Sequence, residues 1–238
     1  MWYRRNGNQE LFAELDRHCG SFSEHLIAEA VTRRDEAIPF LLETLERVDR
    51  NPEPWVADQD CMLHIHALYL LALFRETRAY PLIVPIFSRP GKFSFDLAGD
   101  VVTQDLGQIL ASVSNGDVIG MTALIENEHA NEYVRAVAME GMVSLVEVGL
   151  RTRDEIMILL SARIPHPRTE SSTGKRANIG ARWLTFARTF GPAKQWTNAG
   201  APTGTAWWIR VALLGRTSKK LYRVGKKARF NVRDSENR

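Results

Sequence analysis

The chain has 238 residues, 45% hydrophobic and 25% charged, the balance of an ordinary globular protein with one sizeable core. Its two cysteines, Cys19 and Cys61, exclude a disulfide framework and fit a reducing cytoplasm. The longest unbroken apolar run, Ala67 to Phe74, is eight residues against the roughly 20 that span a bilayer, and the opening MWYRRNGNQELF has no apolar stretch of the secretory kind.

From Gln9 to about Leu160 the apolar residues recur at helical spacing. Ile38, Leu41, Leu42, Leu45 and Val48 form one stripe, and Met62, Ile65, Tyr69, Ala72 and Leu73 a second. Val102, Leu106, Ile109, Leu110 and Val113 form a third, and Val134, Val137, Ala138, Met142, Leu145 and Val146 a fourth. No stretch in this region alternates with period two, so the expected fold is all-α.

Helix punctuation falls between the stripes. NPEPW at 51–55 stops one helix, and Asp58 or Asp60 is placed to cap the next. Pro85 predicts a kink, or a helix that ends early near Val84, because proline lacks the N–H that the helix needs. Gly99-Asp100 opens a helix DVVTQDLGQILASV, and Asn115-Gly116 closes it with residues that tolerate positive φ. Asn131 is placed to cap EYVRAVAMEGMVSLVEV.

RRDEAIPFLLETL at Arg33, ETRAYPLIVPIF at Glu76, NGDVIGMTALI at Asn115 and RTRDEIMILL at Arg151 each follow another amphipathic helix. Two helices in roughly 40 residues is the period of HEAT and armadillo repeats. One such pair cannot bury its own apolar face, so the expectation is a HEAT/armadillo-like superhelix over residues 9–160.

HLIAEAVTRRDEAIPFLLETLERVDRNPEPW, HALYLLALFRETRAYPLIVPIFSRPG and LAGDVVTQDLGQILASVSNGDVIGMTALIENEHANEYVRAVAMEGMVSLV together resemble the bacterial domain-of-unknown-function family number 1186, over about residues 9–160. The resemblance implies a HEAT-like α-solenoid with no established activity. Some members add a C-terminal cysteine-rich zinc motif of the SecC type, but no cysteine follows Cys61 here.

The net charge of +3 hides a division: residues 1–160 carry 14 Lys and Arg against 25 Asp and Glu, and residues 161–238 carry 17 against 3. The second part reads as a basic, Trp-containing tail, irregular or disordered, with one short helix over 207–222. Trp207, Trp208, Arg210, Lys219, Lys220, Lys226 and Lys227 give it the chemistry of a nucleic-acid or membrane-surface arm. A solvated extension is the plainer reading. A shifted reading frame is a third: permitted codons for Trp183–Thr189 and Thr203–Arg210, read two bases on, give acidic strings like those with which the family continues.

Motifs for chemistry are sparse. Cys61, His64 and His66 offer at most two metal ligands on one helix face, short of a tetrahedral set, so no metal and no cofactor is expected. Asp96, Asp100 and Asp105 suit a cation or a basic peptide, although capping explains Asp100 more simply. Arg135 is expected to make a structural bond between neighbouring repeats. STGKRAN lacks the upstream glycine and the hydroxyl of a phosphate loop, and no dinucleotide fingerprint occurs.

The expected function is therefore a non-catalytic scaffold that binds a protein partner through polar residues near helix starts, namely Asp100, Asp105, Glu132 and Arg135. Association through the tail is the alternative, and an enzyme comes third.

Overall fold

The computed structural model describes residues 9–16, 24–58 and 60–162. They are mostly helical, with no strand among them. The helices are α1 (Gln9–Asp16), α2 (Glu24–Thr32), α3 (Arg34–Arg50), α4 (Glu53–Ala57), α5 (Leu63–Phe74), α6 (Tyr80–Phe87), α7 (Phe93–Ala98), α8 (Val101–Gln104), α9 (Leu106–Ser114), α10 (Ile119–Glu126), α11 (Glu132–Glu147) and α12 (Arg153–Ser161). They fall into two compact units, one up to Glu76 and one from Thr77 on.

In the first unit α5 packs on α3 and α1, and α2 on α1 and α3. The sequence LHIHALYLLALF is apolar on almost every side, and ten of its twelve residues are buried, as a helix without a polar face must be. The stripe Ile38, Leu41, Leu42, Leu45 and Val48 of α3 is buried in full, and Phe40 stacks on Phe12 of α1 at 4.0 Å. Arg34 closes the α5 end: its Nη2 donates to the Phe74 carbonyl at 2.9 Å, and its guanidinium lies over the Phe74 ring. A cation at a helix C-terminus meets the carbonyls that have no partner within the helix.

In the second unit α11 packs on α9, α10, α8 and α12, and α6 on α10 and α9. The contact between α9 and α11 is backbone to backbone. A Cβ on Gly107 would lie 2.6 Å from the Val137 carbonyl oxygen, and one on Gly141 2.7 Å from the Gly107 carbonyl oxygen. Gly107 faces Gly141, and Gly116 faces Leu150, so both pairs are 34 residues apart and the two helices run parallel in that register.

The long-range polar contacts recur at comparable but mostly longer separations. Tyr80 pairs with Met121, Ser88 with Asn127, Gly91 with Asn131 and Gly116 with Arg151, at separations of 41, 39, 40 and 35. Pro90 and Ala130 add an antiparallel bridge 40 residues apart. Each contact ties an element to its equivalent one repeat on, which is how stacked helical repeats share their stability between neighbours.

Several local expectations need correction. The single helix expected after Gly99 is two, α8 and α9, because Asp105 leaves helical geometry at φ −130°; aspartate is a weak helix-interior residue because its carboxylate competes for nearby backbone N–H groups. The Asp100 side chain makes no capping bond, although the residue holds the N-cap position of α8. Neither Asp58 nor Asp60 caps α5, whose N-cap is Met62; Asp58 Oδ1 instead accepts from the Asp60 N–H at 3.2 Å. Helix α6 runs through Pro85 to Phe87. Pro81 and Pro85 both sit on its exposed side, where a carbonyl left without an N–H partner meets water. The Asn131 cap holds, since its Oδ1 accepts from the Tyr133 N–H at 3.0 Å. Asn115 and Gly116 both take positive φ, 49° and 87°.

Candidate functional site

Of the sequence-predicted acids, Glu132 opens α11 and Asp105 holds the N-cap of α9, while Asp96 lies on α7 and Asp100 at the N-cap of α8. Glu140 flanks the glycine contact, its Cβ 3.5 Å from where a Cβ on Gly107 would stand, and Asp105 lies two residues before that glycine. The start of α11 lies against α7: the Tyr133 ring meets Phe95 edge-on at 5.5 Å, and Asn131 Nδ2 donates to the Gly91 carbonyl at 2.9 Å. On α11 Glu132 is half-buried and Glu140 and Glu147 are exposed, while α9 itself has no carboxylate and shows only the half-buried Gln108 and Ser112 after the half-buried Asp105 at its N-cap.

The sequence from α8 to the end of α11 is one-sided in charge. Residues 101–150 contain seven Asp and Glu and a single cation, Arg135. Arg135 Nε donates to the Ile125 carbonyl at 2.9 Å, at the C-terminal end of α10, so it joins α11 to α10 as a structural bond. Arg151 Nε does the same for the Gly116 carbonyl at 2.7 Å. Partial burial pushes the Glu147 carboxyl up from its ordinary value.

Glu140 and Glu147 were not among the residues singled out from the sequence. The signal was present: they stand seven apart, in the gaps of the stripe Val134, Val137, Met142 and Leu145, and so mark its solvent side.

The histidines and cysteine near the start of α5 have another role. Cys61 precedes the helix, and its Sγ donates to Asp16 Oδ1 at 3.1 Å. The Met62 N–H donates to the Asp16 carbonyl at 2.8 Å, and His66 Nδ1 donates to the Leu15 carbonyl at 2.8 Å. These three bonds clasp the end of α1 to the start of α5. Burial, and then the Asp16 carboxylate, push the Cys61 thiol up to about 12, which keeps it protonated at neutral pH. Burial pushes His66 down to about 4. His64 is buried edge-on to Trp55. Among the described residues no three His, Cys, Asp or Glu are grouped to hold a metal ion, and no helix is long and apolar enough to cross a membrane. Trp207, Trp208, Arg210, Lys219, Lys220, Lys226 and Lys227 lie outside the described residues, as does the short helix expected over 207–222.

The fold defines an all-α helical-repeat protein. The chain belongs to the family described as protein of unknown function DUF1186, which matches residues 8–164. It is 42% identical over 137 residues to an uncharacterized protein of Chlamydia trachomatis serovar D, covering 57% of this chain and 53% of that protein. It is 43% identical over 131 residues to an uncharacterized protein of Chlamydia muridarum, covering 54% and 51%. The chain thus spans about half the length of these curated relatives. No solved structure matches it.

Proposed function

We propose that the protein is a non-catalytic scaffold whose α9–α11 face, carrying Glu132, Glu140 and Glu147 on α11 and Asp105 at the N-cap of α9, binds a basic segment of a protein partner. The supporting observation is the charge imbalance of residues 101–150, seven acids to one cation, with that cation bound to a backbone carbonyl. A surface of one sign steers partners of the opposite sign and repels others. Stacked repeats offer such a surface without a pocket, because each repeat adds a polar outer strip to the last. Arg135 belongs to the framework under the face and not to the contact.

The test is affinity capture on the immobilised full chain at low and at high salt. Retained proteins should carry basic segments and elute as salt rises from about 0.1 M to about 0.5 M, where screening shortens the reach of charge to a few ångströms. A retained set that salt does not release, or no retained set at all, removes the reading.

A further inference from the structure

Two Asn-Gly pairs occur in the chain, and one of them, Asn115-Gly116, closes α9. In this pair the asparagine side chain is most open to attack by the next backbone nitrogen, because glycine has no Cβ to shield it. The Gly116 nitrogen, its proton removed by base, bonds to Asn115 Cγ. The Cγ–Nδ2 bond breaks, and the amide nitrogen takes up a proton and leaves as ammonia. Water then opens the cyclic imide at either carbonyl, leaving aspartate or isoaspartate.

The native turn opposes each part of that step. Asn115 takes φ 49° and ψ 35°, which points the Gly116 nitrogen almost opposite to Asn115 Cβ about the Cα–C bond, so the ring cannot close. The Gly116 N–H donates to the buried Ser114 Oγ at 3.3 Å, away from the base that must remove its proton. The Gly116 carbonyl accepts from Arg151 Nε at 2.7 Å. Leu150 lies against the same glycine, where a Cβ would stand 3.6 Å from the Leu150 carbonyl oxygen. Asn115 is exposed, so backbone geometry, and not burial of the amide, withholds the reaction.

We propose that Asn115 is a deamidation site gated by the stacking of the repeats. It is shut while Ser114 and Arg151 hold Gly116, and it opens when this turn parts from the α11–α12 turn. The isoaspartate product carries Cβ in the main chain and lengthens the corner by one atom. A turn that has reacted therefore does not return to the same pair of bonds, and a transient opening becomes a permanent mark on the chain. The inference does not rest on the function proposed above, since it involves neither Glu140 nor Glu147.

The experiment incubates the full chain at mildly alkaline pH, natively and in urea, and follows the Asn115 peptide by mass spectrometry. Wild type should deamidate there at least about tenfold more slowly when native, because reaction waits on local opening. Arg151→Ala frees the Gly116 carbonyl and should raise the native rate by at least about threefold, leaving the rate in urea unchanged. Ser114→Ala, which frees the Gly116 N–H, should act in the same direction. Urea unfolding of each variant measures its global stability, and the rise in rate should exceed what that loss accounts for. A rise within it assigns the reaction to the unfolded chain and overturns the gate at this turn. Equal native and urea rates in wild type overturn the proposal outright, as do native rates that neither substitution changes.

Discussion

The hydroxyl oxygen of Tyr80 accepts the backbone N–H of Met121 at 2.8 Å, in the first turn of α10. A helix start leaves N–H groups without partners inside the helix, and side chains of residues just before it usually take them. Here the N-cap Val118 has no group to offer, and Asp117 reaches only the Ile119 N–H. The Met121 N–H is served by a side chain 41 residues earlier, so the local start of one repeat depends on its neighbour.

Tyr80→Phe keeps the ring and removes that acceptor from a buried N–H, which should cost about 1–3 kcal/mol of unfolding free energy. Burial holds the phenol pKa up to about 12, so the hydroxyl is intact across the accessible pH range. Urea unfolding followed by circular dichroism measures the loss. A stability equal to wild type shows that water or another group satisfies Met121.

Gly107 supplies a prediction by sign. In an exposed helix, glycine to alanine stabilises by about 1 kcal/mol. At Gly107 the new methyl meets the Val137 carbonyl oxygen and the Gly141 nitrogen, backbone atoms that cannot move aside alone. Gly107→Ala should therefore destabilise by about 1–3 kcal/mol, the range for overpacking. A midpoint shifted to higher urea contradicts the close approach of α9 and α11.

The clasp between α1 and α5 has a pH signature. His66 binds its proton at about 4 when folded and near 6.5 when unfolded. Between those values the unfolded state takes up more protons, so stability falls as pH falls through the window and levels off below it. The full loss is about 3 kcal/mol, from a difference of about two units and a half. Unfolding curves from pH 7 to pH 4 should show a fall that His66→Asn removes; parallel pH profiles for the two proteins would contradict it.

Cys61 should resist alkylation. A thiol held at about 12 instead of 9 carries on the order of 10³ times less thiolate at pH 8. Iodoacetamide labelling of the Cys61 peptide, read by mass spectrometry, should be slow in the native protein and fast in urea. Equal rates in the two states would show that the Asp16 contact is open in solution.

The four apolar stripes were legible because helical periodicity and burial are the same fact seen twice: Leu41, Leu45, Leu110, Val113, Val137 and Met142 are buried as their spacing requires. The caps at Asn131 and Asn115-Gly116 were legible because their chemistry is local. Contacts between repeats were not. The Tyr80 bond to Met121, the Arg34 bond to Phe74 and the Gly107–Gly141 approach depend on register, which no single helix encodes. The break at Asp105 was hidden for a similar reason, since the stripe Val102, Leu106 and Ile109 runs across it undisturbed. Of the acidic face, Asp100, Asp105 and Glu132 announce themselves at helix starts. Glu140 and Glu147 are marked only as the solvent side of the α11 stripe.

The most direct test of that face is a competition between wild type and the double charge reversal Glu140→Lys/Glu147→Lys, each immobilised as the full chain and offered the same salt-eluted partner. Both side chains are exposed, so folding should be retained, and circular dichroism checks it. Reversal of two carboxylates facing a basic segment should weaken retention by at least about tenfold, a coupling of about 1.4 kcal/mol. Equal retention by the two proteins would contradict the assignment of partner binding to the α9–α11 face.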